Sequence, residues 1–394
     1  MNDPFLAAIA AAPADDGPRL ILADALDESE DEPDRARAEF IRLQCALARM
    51  DDDHPRRAAL RSRERELFEL YSAMWAGDLS GIVESLEFRR GLLDGIVIVG
   101  HRLMTHKVEL FRRGLLRRLR LTDAVAICGE MAQCRELRQV RELDLCGNDL
   151  DDFDAEVLIR SPHLAGLQRL DLSFNRLTDR VPQMLVRLEV LPNLKKLSLG
   201  YNAGIKSAGL ELLWERMRIL GAIQLDVGGN RIDDAGVRAW PVNLDCPLPN
   251  FAGNPLGDAG ALALARRPTL RIGLRQRLCL NACSLGPVGL TELLQAPWFE
   301  SVRTLDLGKN GLGNAGAAQL AQAQRGKALR NLILAYAGIG DSGAWALARS
   351  PLMGQLRRLD VTGNSITQSG IDVLWKYRRN FQVELLTEHN LGYG

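Results

Sequence analysis

The chain has 394 residues, of which 46% are hydrophobic, with 50 basic and 50 acidic side chains; this allows two domains or one long repeat array around a packed core. The even charge excludes a chain built as a whole to hold a polyanion or a polycation, so any steering must be local. Seven scattered cysteines, an odd number, fit buried thiols in a reducing compartment better than a disulfide framework.

The first residues, MNDPFLAAIAAAPADD, place an acid before a short apolar run and hold no basic segment, which argues against a signal peptide. No apolar run approaches the roughly 18 residues of a membrane span, so a cytoplasmic protein is expected. Residues 1–92 are predicted to form a helical domain. Asp3 and Pro4 start a helix over Phe5 to Ala12 that Pro13 ends. Leu20, Ala23 and Leu26 predict a second over Pro18 to Leu26. Phe40, Leu43, Leu47 and Met50 form one stripe of a third near Arg35 to Met50, and Leu60, Leu67 and Tyr71 one side of a fourth over Pro55 to Trp75. The segment holds 12 bases against 20 acids, a balance of −8, so the remainder carries +8.

From Leu93 the period changes. Asn148, Asn175, Asn202, Asn230, Asn254, Asn310 and Asn364 mark a recurring slot, with His101, Ala124, Cys283 and Ala337 as substituted slots, at spacings of 23, 24, 27, 27, 28, 24, 29, 27, 27 and 27. Eleven units of LxxLxLxxNxL follow, each ending in a helix-like stretch. Within it Gly236, Gly260, Gly289, Gly316, Gly343 and Gly370 stand six after the slot, and Trp240, Leu264, Leu293, Leu320, Leu347 and Leu374 ten after. That spacing predicts a helix with its inner face on a strand, the glycine letting it start close to the strand. Strand leucines point inward and the residues between them outward. The slot asparagine is read as a structural ladder, its carboxamide answering backbone groups where the chain leaves the strand. Pro247 and Pro249 fall where a strand is needed, so pairing should fail or bend around 241–251, with Phe251 and Leu256 still packed inward. Val383 and Leu385 should supply a last strand.

This repeat resembles the leucine-rich repeat family in its ribonuclease-inhibitor-like form over about residues 93–390, and PRLILADALDESEDEPDRARAEFIRLQCALAR resembles the bacterial repeat-companion domain. The resemblance implies a curved α/β solenoid with a parallel concave sheet and a helical convex side over 93–394, irregular near 241–275, and an all-α cap over 1–92.

Such a surface suits non-catalytic recognition of a protein partner, with regulation or inhibition of an enzyme partner as the alternative. The outward column Asp144, Asp171, Ser198, Asp226, Asp306 and Asp360 reads either as an acidic stripe or as the ordinary wording of the repeat, bonding neighbouring strands. Large outward residues are more informative: Phe174, Tyr201, Lys309 and Tyr336 just before the slot, and Arg169, Lys196, Arg277 and Arg358 before the second leucine. The basic run Arg102, Lys107, Arg112, Arg113, Arg117, Arg118 and Arg120 could hold nucleic-acid phosphate, but its neighbour is the acidic domain, and intramolecular docking is the preferred reading. Cys279 and Cys283 should not converge on a metal, the five histidines have no ligand spacing, and no catalytic motif is present, so neither cofactor nor active site is nominated.

Overall fold

A computed structural model describes residues 4–51, 54–112, 116–187, 191–268, 270–272, 276–378, 384–388 and 390. Two compact units result: Met1–Asp171 with Leu191–Leu194, and Leu172–Val190 with Lys195–Gly394.

In the first unit, α1 (Pro4–Ala11), α2 (Gly17–Asp27), α3 (Glu32–Arg49) and α4 (Arg57–Ala76) precede β1 (Ser85–Arg89) and β2 (Leu92–Val99). Then come α5 (Gly100–Phe111), β3 (Arg118–Thr122), α6 (Cys128–Gln133), β4 (Glu142–Asp144), α7 (Asp152–Ile159) and β5 (Arg169–Asp171). The four leading helices lie close to their expected bounds. The expected all-α description of 1–92 omits β1, which pairs antiparallel with β2 and so occupies the edge of a sheet whose strands β2 to β5 run parallel. Arg90 and Gly91 form the two-residue turn, both at positive φ (50° and 81°), as a hairpin of this length requires. The hairpin joins the helices to the sheet: Leu92 completes a core of Ile9, Leu22, Ala23, Ala38, Ile41 and Cys45, and Phe88 packs on Phe40, Leu67 and Trp75.

The second unit continues with α8 (Arg180–Arg187), β6 (Lys196–Ser198), α9 (Ser207–Leu220), β7 (Gln224–Asp226), α10 (Asp234–Arg238), α11 (Gly257–Ala265), β8 (Arg277–Cys279) and α12 (Pro287–Gln295). It closes with β9 (Thr304–Asp306), α13 (Gly313–Ala321), β10 (Asn331–Ile333), α14 (Asp341–Ala348), β11 (Arg358–Asp360), α15 (Gln368–Arg378) and β12 (Glu384–Leu386). Strands β6 and β7 pair in parallel, and β8 to β12 form a parallel sheet in chain order. Their central leucines align in register, Leu278 to Leu305 to Leu332 to Leu359 to Leu385. Between β7 and β8, among the described residues, only isolated bridges remain, Asp226 with Asn250 and Pro247 with Arg271, while Phe251 and Leu256 are buried. Proline has no N–H to give the ladder. Leu385 lies in β12; Val383 lies outside the described residues.

Two expectations need correction. His101 does not occupy a ladder slot: it is exposed in the first turn of α5, and buried Gly100 takes the inward place. A Cβ at Gly100 would stand 2.5 Å from Asp123 O, so that inward place admits no side chain. The helix glycines make room chiefly for the preceding helix and for the helix's own entry residue, rather than for a strand. A Cβ at Gly289 would meet Asp258 Cα and Ala261 Cβ at 2.9 Å, one at Gly343 would reach Asn314 Oδ1 at 2.7 Å, and one at Gly316 would reach Leu312 Cβ at 2.7 Å.

Candidate partner-binding surface

The ladder fixes where the outward side chains stand. Asn310 donates through Nδ2 to Leu280 O (2.7 Å) and Leu307 O (2.9 Å), and its Oδ1 accepts from the amides of Cys283 (2.9 Å) and Leu285 (3.0 Å). Asn364 repeats the set on Leu334 O, Val361 O and the amides of Ala337 and Ile339. Asn230 and Asn254 each donate to one carbonyl of the preceding turn and one of their own, and Asn202 to one of the preceding turn and two of its own. Asn148 donates to Leu121 O and accepts from Ala124 N, and Asn175 donates to Leu172 O and Ser173 O. Asn390 extends the ladder with bonds to Val361 O and Thr387 O; sequence reading missed it although Leu385, Thr387 and Asn390 carry the spacing. At Cys283 the thiol stands in for the amide, donating to Phe251 O at 3.3 Å. Cys279 Sγ instead approaches Asn281 Oδ1 (3.1 Å) and Asp306 Oδ2 (3.6 Å). Burial pushes both thiols up, Cys283 to about 12.

The residue before the slot takes left-handed backbone. Phe174, Tyr201, Ala282, Lys309 and Tyr336 have φ between 53° and 56°, where the same column elsewhere holds Gly229, Gly253 and Gly363. The cause is the turn. Each of these amides donates onward to a carbonyl of the next repeat, as in Tyr201 N to Gly228 O (2.7 Å) and Lys309 N to Ala335 O (2.7 Å), which continues the parallel pairing past the strand. The three aromatic side chains stand out of the turn and are 51–55% exposed. Phe174 and Tyr201 stack at 4.1 Å and 10°. Tyr201 leans over Gly229, where a Cβ would come within 2.5 Å of its ring, and Tyr336 over Gly363, within 2.3 Å.

The outward strand column is spent differently. Asp226, Asp306 and Asp360 accept from the amide two residues on, Gly228, Gly308 and Thr362, and Asp144 does the same for Cys146. Asp226 also takes Asn250 Nδ2, and Asp306 takes Arg277 at 2.9 Å. These carboxylates finish strand ends and join neighbours. Ser198 is buried at the same position. Among the described residues no carboxylate pairs with Lys196, Lys309 or Arg358. In the first unit Arg169 reaches Glu142 at 3.4 Å, and Asp171 lies with Asp144 and Cys146 in a cluster whose ligating atoms fall within 4.8 Å. Burial pushes the Cys146 thiol up, and Arg120 stands 3.6 Å from Asp144. The Arg120 guanidinium thus already answers the Asp144 carboxylate.

The basic run splits between elements. Arg102, Lys107 and Arg112 ride on or just past α5, whereas Arg118 meets Glu87, Asp94 and Glu142 at 3.0–3.5 Å. Arg117 reaches Ala10 O at 3.5 Å; Arg113 lies outside the described residues. A second polar column escaped sequence reading: the acid or amide four after the slot caps the next helix. Asp258 Oδ1 accepts from Gly286 N (2.7 Å), Asn314 Oδ1 from Gly340 N (2.8 Å) and Asp341 Oδ1 from Thr367 N (2.7 Å). The acidic or amide letters at that offset were its signal.

No helix is long and apolar enough to cross a membrane among the described residues. Family models described as leucine-rich repeats match residues 190–213, 224–239, 250–265 and 300–321, and a second such model matches 166–188. No curated protein matches the sequence. Among solved structures, a chain from the yeast complex of Rad7 and Elc1 is 14% identical, with 88% of this chain and 85% of that one covered at a TM-score of 0.51. An internalin from Listeria monocytogenes is also 14% identical, with 89% and 94% covered and a TM-score of 0.42. Leucine-rich repeats are therefore present in this chain, and they build an α/β solenoid fold.

Proposed function

We propose that the chain is a non-catalytic recognition scaffold that holds a protein partner on the outward side of its strands, with Phe174, Tyr201 and Tyr336 as anchors. One observation carries this reading: three aromatic residues stand exposed in left-handed backbone at a position that glycine fills elsewhere. Such backbone costs a residue with a side chain of the order of 1–3 kcal/mol, which the Phe174–Tyr201 stack and the ring contacts over Gly229 and Gly363 offset only in part. Aromatic rings held rigidly in solvent are the usual anchors of interfaces. Lys196, Lys309 and Arg358 lie in or beside the same columns, so a partner segment presenting apolar side chains among carboxylates is the best match. Asp226, Arg277, Asp306 and Asp360 serve in this reading as rim or support in the second unit, because their charges are already engaged; Arg169 and Asp171 are the corresponding outward positions of the first unit. The ion pairs of Arg118 support docking of the basic run within the chain rather than on nucleic acid.

The test is affinity purification from the native cell with mass spectrometry, repeated with Tyr201→Ala plus Tyr336→Ala. Two lost anchors should lower retention of a specific partner at least about tenfold. Undiminished retention removes the patch.

A further inference from the structure

We propose that the cavity between α3, α4 and the β1–β2 turn binds a small phosphorylated molecule that also carries an aromatic ring. The cavity, about 670 Å³, belongs wholly to the first unit and has the size of a small-molecule site. Its charge opposes that of its surroundings. Residues 1–92 hold 20 acids against 12 bases, yet five arginines line this cavity with Glu64 as the only acid among its lining residues, a local excess of 5 − 1 = 4 positive charges. Glu64 is itself held by Gln44 Nε2 at 2.7 Å.

Two of the arginines are fixed by the fold. Arg57 donates to Leu47 O in the last turn of α3 and to Met50 O just past it, at 2.9 and 2.8 Å. Arg90 donates to Ala14 O at 2.6 Å and stands 3.2 Å from Asp16 Oδ1. Arg61 and Arg65 are different. They sit one turn apart on α4, exposed, and among the described residues no carboxylate pairs with either. Like charges at that spacing disfavour the helix, a penalty that a bound anion relieves. Planar guanidinium forks also match phosphate oxygens in pairs. Arg89, at the end of β1, adds a fifth positive group.

The cavity also offers ring surface. Phe68 and Phe88, half-buried with centroids 6.0 Å apart, line it while packing on Phe40 behind. One side chain ties the walls together: Gln44 holds Glu64 of α4 and accepts from Gly91 N of the hairpin turn at 2.7 Å. A smaller neighbouring cavity, about 250 Å³, shares Arg89 and Arg90 and adds Arg19 and Arg117, but Asp94 lines it and Asp16 flanks it. Its lining excess is 4 − 1 = 3 positive charges and Asp16 lowers it further, so the larger cavity carries the greater excess.

Isothermal titration of the full chain with phenyl phosphate, inorganic phosphate and benzyl alcohol tests the proposal. Phenyl phosphate should bind saturably, inorganic phosphate roughly tenfold more weakly, and benzyl alcohol not measurably. Arg61→Ala with Arg65→Ala, exposed positions whose loss spares the core, should weaken phenyl phosphate roughly tenfold or more at unchanged circular dichroism. Phe88→Leu should erase only the preference for phenyl phosphate over phosphate. Absence of saturable binding by both anions, or binding indifferent to the double arginine variant, overturns the site; equal affinity for the two anions overturns the aromatic part of its specificity.

Discussion

Each ladder asparagine answers up to five backbone groups in the buried turn, and Asn310 and Asn364 are the fullest cases. Asn310→Ala leaves the carbonyls of Leu280 and Leu307 and the amides of Cys283 and Leu285 without it, and should cost at least about 1–3 kcal/mol. Cys283→Ala should cost visibly less, because a thiol is a weak donor and the Cys283 amide keeps its bond to Asn310. Urea denaturation of the two variants provides the comparison, and equal losses would contradict the ladder account. These asparagines were legible from spacing alone. The left-handed position before them was half legible: glycine at 147, 229, 253 and 363 marks the column, but Phe174, Tyr201, Lys309 and Tyr336 carry no sign of the same backbone. Long-range hydrogen bonds to the next repeat impose it, and a linear pattern does not display those.

At the scale of elements, the β1–β2 hairpin joins the helices of the first unit to its sheet, and its tightest point is Gly91. A Cβ there would lie 2.5 Å from Ile41 Cα and 2.1 Å from Ile41 Cγ1, at a φ of 81°. Gly91→Ala must therefore move the turn off α3, break the Gly91 to Gln44 bond and loosen Leu92 from its core. A loss of about 3 kcal/mol or more follows from backbone strain combined with disturbed packing; thermal unfolding measures it, and a midpoint within a degree of the parent would refute the docking role. Sequence reading missed this hairpin because its turn is Arg-Gly rather than Asn-Gly and because β1 half-buries alternate residues with no strong apolar run. The helices α1 to α4 were legible because their apolar stripes pack on one another, so each writes its own period.

In the whole second unit, strand pairing and helix packing part company between β7 and β8. Pro247 and Pro249 lack the N–H that a central strand gives, leaving Leu248 N on Arg271 O (2.8 Å) and a long bond from Asn250 N to Leu225 O (3.3 Å). The helices carry on: α11 packs against both α10 and α12, with Gly289 allowing the close approach of α12 to α11. Stability in a repeat array is nearly a sum over neighbouring interfaces, so a step with one layer missing is the weakest link and the natural boundary between cooperative segments. The two prolines made that boundary legible in the sequence; the continuity of the helix layer, which depends on contacts between successive turns, was not. Native-state hydrogen exchange should therefore find the amides of Leu248 and Asn250 exchanging at least roughly tenfold faster than those of Leu305 and Leu332 in β9 and β10. Added urea should also release the strands on the two sides of Pro249 at different concentrations. Equal protection, and release in one step, would mean that the helix layer alone couples the array and that the gap in the sheet costs it nothing.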